Sequence, residues 1–340
     1  MASTIKDVAA LSGYSVGTIS KYINGQQVKE KTKLAIDDAI KQLNYSPNNI
    51  AKGLRNAKSF SVAILLPMLN SQFCTSMVSS IEAYLLPKGY SVIVCECHND
   101  AEMELRKTQF LIDKMVDGII LIPYALDGKQ IHMIQKHDIP LVVLDQQIES
   151  CQTDTIILDN IMAGYEPTKH LIDLGHKNIA IISGVPEHYT SENRLNGYKK
   201  ALNENNISIN PNYIQNGEYT LEGGYNALIR LSKLETPPTA VFISNYDMTV
   251  GAYLAINNLQ LKIPEELSVI GFDNFELSNI INPPLSYSEQ PLEDMGLAAG
   301  KLIFKRIQND YSDFPQTLCF PPTIHYRKSI IEIKNTSLNN

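Results

Sequence analysis

The chain has 340 residues, of which 44% are hydrophobic and 19% charged; it is long enough for two or three domains and ordinary for a globular protein. It contains no uncharged apolar run of about 18 residues, which excludes a helical membrane span. The net charge of −7 is divided unevenly: residues 1–58 hold eight Lys and one Arg against four carboxylates, a net of +5, so the remainder carries −12. A small basic head on an acidic body is the asymmetry expected when only the head meets nucleic acid.

The N-terminal residues lack the basic region and apolar run of a secretory leader, which points to a cytoplasmic protein. Five cysteines (Cys74, Cys95, Cys97, Cys151, Cys319) form an odd set. Reduced thiols are expected there, and neither a metal nor another cofactor. Cys95 and Cys97, two apart in SVIVCEC, share one face of a strand and read as core thiols.

Residues 3–25 read as two short helices. Thr4 and Asp7 form a capping box with Asp in place of Glu. Ile5, Val8, Ala9 and Leu11 give a short apolar stripe that Gly13 ends. Ser15 caps a second helix from Val16 to about Asn24, with Ile19 and Ile23 facing inward and Gly25 closing it. A third helix runs from about Glu30 to Asn44, its inward face carrying Ile36, Ala39, Ile40 and Leu43. Lys29 at its start is a weak cap. The segment YSPNNIAKGLRNAKS then reads as a hinge: Pro47 starts it and Gly53 weakens it.

From Phe60 the pattern changes. FSVAILL, YSVIVCE, GIILI, PLVVLD, DTIILD, IAIIS, TAVFIS and SVIGF alternate with helical stretches. Near-continuous apolar strands imply parallel sheets buried on both faces. Eight such strands, in two sets of four or five, predict two doubly wound subdomains with a ligand cleft at the carboxyl ends of the strands. No dinucleotide fingerprint, P-loop or nucleophile elbow occurs, and the histidines are scattered, so catalysis is not expected. The last ten residues are polar and read as a frayed tail.

TIKDVAALSGYSVGTISKYING has the layout of a helix-turn-helix, whose second helix offers its N-terminal end to the major groove. Val16, Gly17 and Lys21 are the exposed, base-facing positions. This segment resembles the N-terminal signature of the lac-repressor/galactose-repressor (LacI/GalR) family of transcription regulators. The resemblance continues through LNYSPNNIAKGLR, KMVDGIILIP, DLGHKNIAIISG, RLNGYKKAL, PPTAVFISNYDM, IPEELSVIGFDN and SEQPLEDMG, covering about residues 3–330.

The resemblance implies an all-α helix-turn-helix head (1–46), a hinge helix and linker (47–59), and an α/β core (60–330). The core would hold two doubly wound parallel-sheet subdomains like those of periplasmic sugar-binding proteins. One would span about 60–160 plus 291–320, the other about 161–290 plus 321–330, leaving a tail at 331–340. The implied DNA-contacting set is Thr4, Ser15, Val16, Gly17, Thr18, Lys21, Asn24, Tyr45, Asn48, Leu54 and Arg55. Lys21 stands where most members carry Arg; a point charge reads guanine less strictly than a bidentate fork. Leu54 matches the hinge leucine that wedges into the minor groove.

The implied ligand set is Asn70, Phe73, Asp145, Arg194, Tyr219, Asn245, Asp273 and Gln290. Carboxylates and amides bridge hydroxyl pairs, and an aromatic face covers C–H surface, which suits a sugar. Asp247 sits one place later than the usual family aspartate and receives no role. The implied partners are a near-palindromic double-stranded operator, a small effector (a sugar or sugar phosphate) and a second copy of the chain, with no membrane. A purine or nucleoside effector, or dependence on a phosphocarrier protein, fits the same pattern; a free sugar-binding protein fits the core but not the basic head.

Overall fold

The computed structural model describes residues 3–23, 26–45, 58–273 and 276–333. It divides into two compact units at Phe60/Ser61.

The first unit contains α1 (Ile5–Ser12), α2 (Val16–Ile23) and α3 (Glu30–Leu43). The Thr4–Asp7 capping box is formed in both directions, and Gly13 ends α1 in the left-handed conformation at φ 75°, where a Cβ would be strained. The Ser15 hydroxyl accepts from the Thr18 amide at 3.2 Å, capping α2. Lys29 gives α3 no side-chain cap, and Asn44 closes it at φ 45°. Val8, Ile19, Ile36 and Ala39 form the buried core, with Ile5, Ala9, Ile23, Ile40, Leu43 and Tyr45 packed around it. Each fully buried aliphatic side chain contributes about 1.5–3 kcal/mol. Leu11 departs from the expected stripe: it is 48% exposed, because one face of an eight-residue helix is too narrow to bury four apolar residues against α2 and α3.

The second unit begins with β1 (Ser61–Leu66), α4 (Gln72–Leu85), β2 (Ser91–Glu96), α5 (Ala101–Asp113), β3 (Gly118–Leu121), α6 (Lys129–Gln135), β4 (Leu141–Leu144) and β5 (Asp154–Leu158). The chain then enters a second lobe of α7 (Asn160–Asp173), β6 (Ile179–Ser183), α8 (Tyr189–Glu204), β7 (Ile214–Asn216), α9 (Leu221–Ser232), β8 (Ala240–Ile243), α10 (Tyr246–Leu259), β9 (Ser268–Phe272), α11 (Leu277–Ile280) and β10 (Ser286–Glu289). It returns to the first lobe with α12 (Leu292–Ile307) and β11 (Thr317–Phe320), and closes on the second with β12 (Thr323–His325). The two sheets are six-stranded, ordered β11-β5-β4-β3-β1-β2 and β12-β10-β9-β8-β6-β7.

The apolar runs are long because both faces of each sheet are covered. Ile182, Val241 and Ile243 pack on one side of the second sheet, while Ile181, Phe242 and Ile270 pack on the other. Alternate side chains thus point to opposite cores, and a polar residue on either face would be buried. Cys95 and Cys97 are buried in the first lobe, and burial raises the thiol pKa of both, Cys97 to about 11.

The eight-strand expectation falls short by four. β7, β10, β11 and β12 are only three or four residues long and carry no long apolar run, so the sequence pattern does not mark them. β12 also runs antiparallel to β10, in an otherwise parallel arrangement. The expected frayed tail is tied down at its start: the Ile331 amide donates to Ser268 Oγ and the Ile333 amide to the Leu174 carbonyl.

A buried ion pair fixes α12 to the first sheet. Arg306 donates to both carboxylate oxygens of Asp154 at 2.6 and 2.9 Å and to Asp313 at 2.7 Å. Both Arg306 and Asp154 are fully buried, so losing either partner would strand a charge in the interior.

Candidate functional site: a cleft between two sheets

The core lobes enclose a cavity of about 440 Å³. Its lining comes from the carboxyl ends of strands, as parallel α/β folds dictate. Asn70 and Phe73 follow β1; Ile122, Pro123 and Tyr124 follow β3; Asp145 and Gln146 follow β4. From the other lobe come Tyr219 after β7, Asn245 after β8, Asp273 after β9 and Gln290 after β10, with His188, Thr190 and Arg194 around the start of α8. All eight residues of the expected ligand set line this one cavity.

Three of them turn the chain at a strand end. Asp145, Tyr219 and Asp273 have φ of 65°, 57° and 54°, in the left-handed region that side-chain-bearing residues seldom occupy. Such strain persists only where the surroundings fix it, and it clusters at ligand sites. Gly184 makes room for Tyr219: a Cβ on Gly184 would lie 2.0 Å from the tyrosine ring. The Tyr219 hydroxyl meets Thr190 Oγ1 at 2.8 Å.

Arg194 is held on three sides. Its Nε donates to Asn160 Oδ1 at 2.8 Å, its Nη1 to the Ser244 carbonyl at 2.6 Å, and its guanidinium lies 3.8 Å from the centre of the Phe272 ring. It is 4% exposed. No ion pair ties it to Asp145 or Asp273 among the described residues, so the arginine is anchored by neutral groups and the carboxyls are not consumed by it.

Asp273 accepts from the Gln290 amide at 3.1 Å and from Gln290 Nε2 at 2.8 Å. Burial nevertheless raises its pKa to about 6, against the lowering effect of Gln290 and Arg194. Burial raises Asp145 as well, with Arg194 opposing. Asp145 Oδ1 and Gln290 Oε1 are buried acceptors without a hydrogen-bond partner among the described residues.

Sequence reasoning misses several lining residues. Gln146 links the lobes: its Oε1 accepts from the Tyr189 amide at 3.1 Å. Its position directly after Asp145, at a strand end, is the available signal. Asp247, left without a role by the sequence, also lines the cleft, and burial raises its pKa. His188 stands between Tyr124 and Tyr219, ring centroids 6.0 and 6.5 Å away, and burial lowers its pKa. Behind the wall, buried Glu104 accepts from the Tyr124 and Ala125 amides at 2.8 and 3.0 Å, which fixes the loop carrying Tyr124. A larger depression of about 670 Å³, along α4 and the start of α12, shares only Gln290 with the expected set.

In the head, Ser15 at the start of α2, Val16 and Gly17 in its first turn and Lys21 in its last turn are exposed, and Thr18 is partly exposed. Thr4 is exposed but its hydroxyl donates to Asp7 at 2.7 Å. Tyr45 packs against the head core. Asn24, Asn48, Leu54 and Arg55, with the hinge at 47–56, lie outside the described residues.

Residues 4–48 match the family described as bacterial regulatory proteins, lacI family, and residues 168–330 match a periplasmic binding protein-like domain. The chain is 34% identical to the ribose operon repressor of Haemophilus influenzae over 98% of its own length and all of that protein. The chain belongs to the lacI family of bacterial regulatory proteins. It is 34% identical to the transcriptional repressor PurR of Histophilus somni, over 96% of this chain and 99% of that one. Among solved structures, a lac repressor dimer bound to operator and an anti-inducer superposes with a TM-score of 0.86 at 25% identity, covering 97% of this chain and all of the other. A lacI-family regulator from Enterococcus faecium with bound ribose gives 0.74 at 26% identity, over 81% of this chain and all of the other. As a lacI-family member the chain is a DNA-binding transcription regulator; the family is one of regulators, not enzymes. No helix among the described residues is long and apolar enough to cross a membrane.

Proposed function

We propose that this chain is a cytoplasmic, non-catalytic repressor. It grips a near-palindromic operator as a homodimer and changes its grip when a sugar enters the cleft between the core lobes. The observation that carries the effector reading is the convergence of Asn70, Phe73, Asp145, Arg194, Tyr219, Asn245, Asp273 and Gln290 on one cavity. The relatives named for the ribose operon and for PurR agree with a small-molecule effector. Dimerisation follows the physics of readout: one recognition helix contacts only a few bases, and two are needed for useful specificity. Val16, Gly17 and Lys21 would face base edges, with Thr4, Ser15, Thr18, Asn24, Tyr45, Asn48 and Arg55 along the backbone and Leu54 in the minor groove. A purine effector is the second reading, favoured by the flat faces of Phe73 and Tyr219 in the lining.

The test is Arg194→Ala. Operator affinity, read by fluorescence anisotropy on a palindromic fragment, should be retained while the response to effector is lost. Removing a buried charged hydrogen bond costs about 1.5–3 kcal/mol, at least a tenfold weaker ligand. Unchanged ligand affinity by calorimetry would remove Arg194 from the site.

A further inference from the structure

The cleft is unbalanced in charge. Asp145, Glu218, Asp247 and Asp273 line it, against Arg194 alone among strong bases. His188 does not redress this, because burial keeps it towards its neutral form. Arg194 has already given Nε and Nη1 to Asn160 and Ser244; Nη2 is its one nitrogen without a protein partner among the described residues.

The cleft is also unbalanced in hydrogen bonding. The buried side-chain atoms left unmatched in its wall are acceptors, Asp145 Oδ1 and Gln290 Oε1. A buried acceptor without a donor is costly, so a ligand that brings donors to this wall is favoured over one that brings acceptors. Hydroxyl groups do this, each with one O–H. A phosphate brings only acceptors and further negative charge. That charge meets buried Asp273 and half-buried Asp145 with less screening than in water, and exposed Glu218 and Asp247 through solvent, where the repulsion is strongest at low salt.

Building on the reading of this cleft as the effector site, we propose that it selects an uncharged polyhydroxy ligand and refuses the phosphorylated form, with Asp247 and Glu218 as the refusing charges. The free sugar offers hydroxyl donors to the wall at Asp145 and Gln290 and accepts from Arg194 Nη2. A phosphate on the same sugar gains at most that one arginine nitrogen and opposes four carboxyls. Neither Asp247 nor Glu218 is held in an ion pair among the described residues, and both line the cleft, so a phosphate entering it meets their carboxyls without a protein cation between.

Calorimetry of the full chain with ribose, ribose 5-phosphate and hypoxanthine tests this, alongside a panel of other uncharged pentoses and hexoses. An uncharged sugar should bind at least about tenfold more tightly than its phosphate, a difference of about 1.4 kcal/mol. The double variant Asp247→Asn, Glu218→Gln should narrow that ratio at least about threefold, since the repulsion it removes acts on the phosphate alone. Ribose 5-phosphate binding in preference to every uncharged sugar, and losing affinity in Arg194→Ala, would overturn the charge selection, and hypoxanthine doing so would overturn the polyhydroxy ligand; either leaves the cleft as the effector site. An uncharged sugar binding equally to wild type and Arg194→Ala would overturn both. A ratio unmoved by the double variant would remove Asp247 and Glu218 from the selection.

Discussion

At Asp273 the loss of hydration outweighs two hydrogen bonds from Gln290, and its pKa stands near 6 instead of 3.8. The folded protein therefore holds that proton more tightly than the unfolded chain does. The resulting stabilisation is complete below about pH 4 and is lost as pH rises through about 6, up to about 3 kcal/mol for a shift of this size. Urea unfolding of the core from pH 4 to 7 should show a fall in stability that Asp273→Asn reduces; Asp145, shifted the same way, leaves a remainder. An identical pH slope in the variant would show that Asp273 titrates normally.

Single residues are the least legible level. No period or spacing distinguishes Arg194 from other helical arginines; family resemblance alone marks it, and the same holds for Tyr219. The register of Asp247 differs by one position from the family aspartate, so the resemblance gives it no role, yet the first turn of α10 still carries it to the cavity. Glu104 acts through backbone amides 20 and 21 residues away, a pairing that only tertiary structure creates.

Among the elements, length and burial decide what can be read. The strands buried on both faces are written as continuous apolar runs. β10 is equally buried but is spelled SYSE; the Ser286 hydroxyl accepts from the Arg327 amide at 2.8 Å, so a buried polar residue stands there without an apolar signature. β11 alternates exposed and half-buried positions over four residues, too short a window for period 2 to stand out. The capped head helices are legible because caps are local chemistry. Within α2, Gly17 is an exposed helical residue with only Ser15 Oγ, at 3.7 Å, near a built Cβ. Gly17→Ala should therefore stabilise α2 by about 0.5–1 kcal/mol, read as slower hydrogen exchange across residues 16–23. Faster exchange would mean that the glycine relieves a clash or strain.

Across the whole molecule the sequence divides its labour by charge, with +5 on residues 1–58 and −12 on the rest. The basic head draws phosphate contacts, so operator affinity should decline with salt, while the acidic core is kept from competing for DNA. Effector control then requires a ligand that binds the DNA-bound and free forms unequally, since a ligand can shift an equilibrium only by its differential affinity. Coupling of this kind is reciprocal and typically about 1–3 kcal/mol. The most direct measurement is the affinity of the same effector for the chain alone and for the chain saturated with its operator. The two affinities should differ at least about fivefold, and Arg194→Ala should weaken binding to both forms. Equal affinities in the presence and absence of operator would contradict control of DNA binding from the cleft.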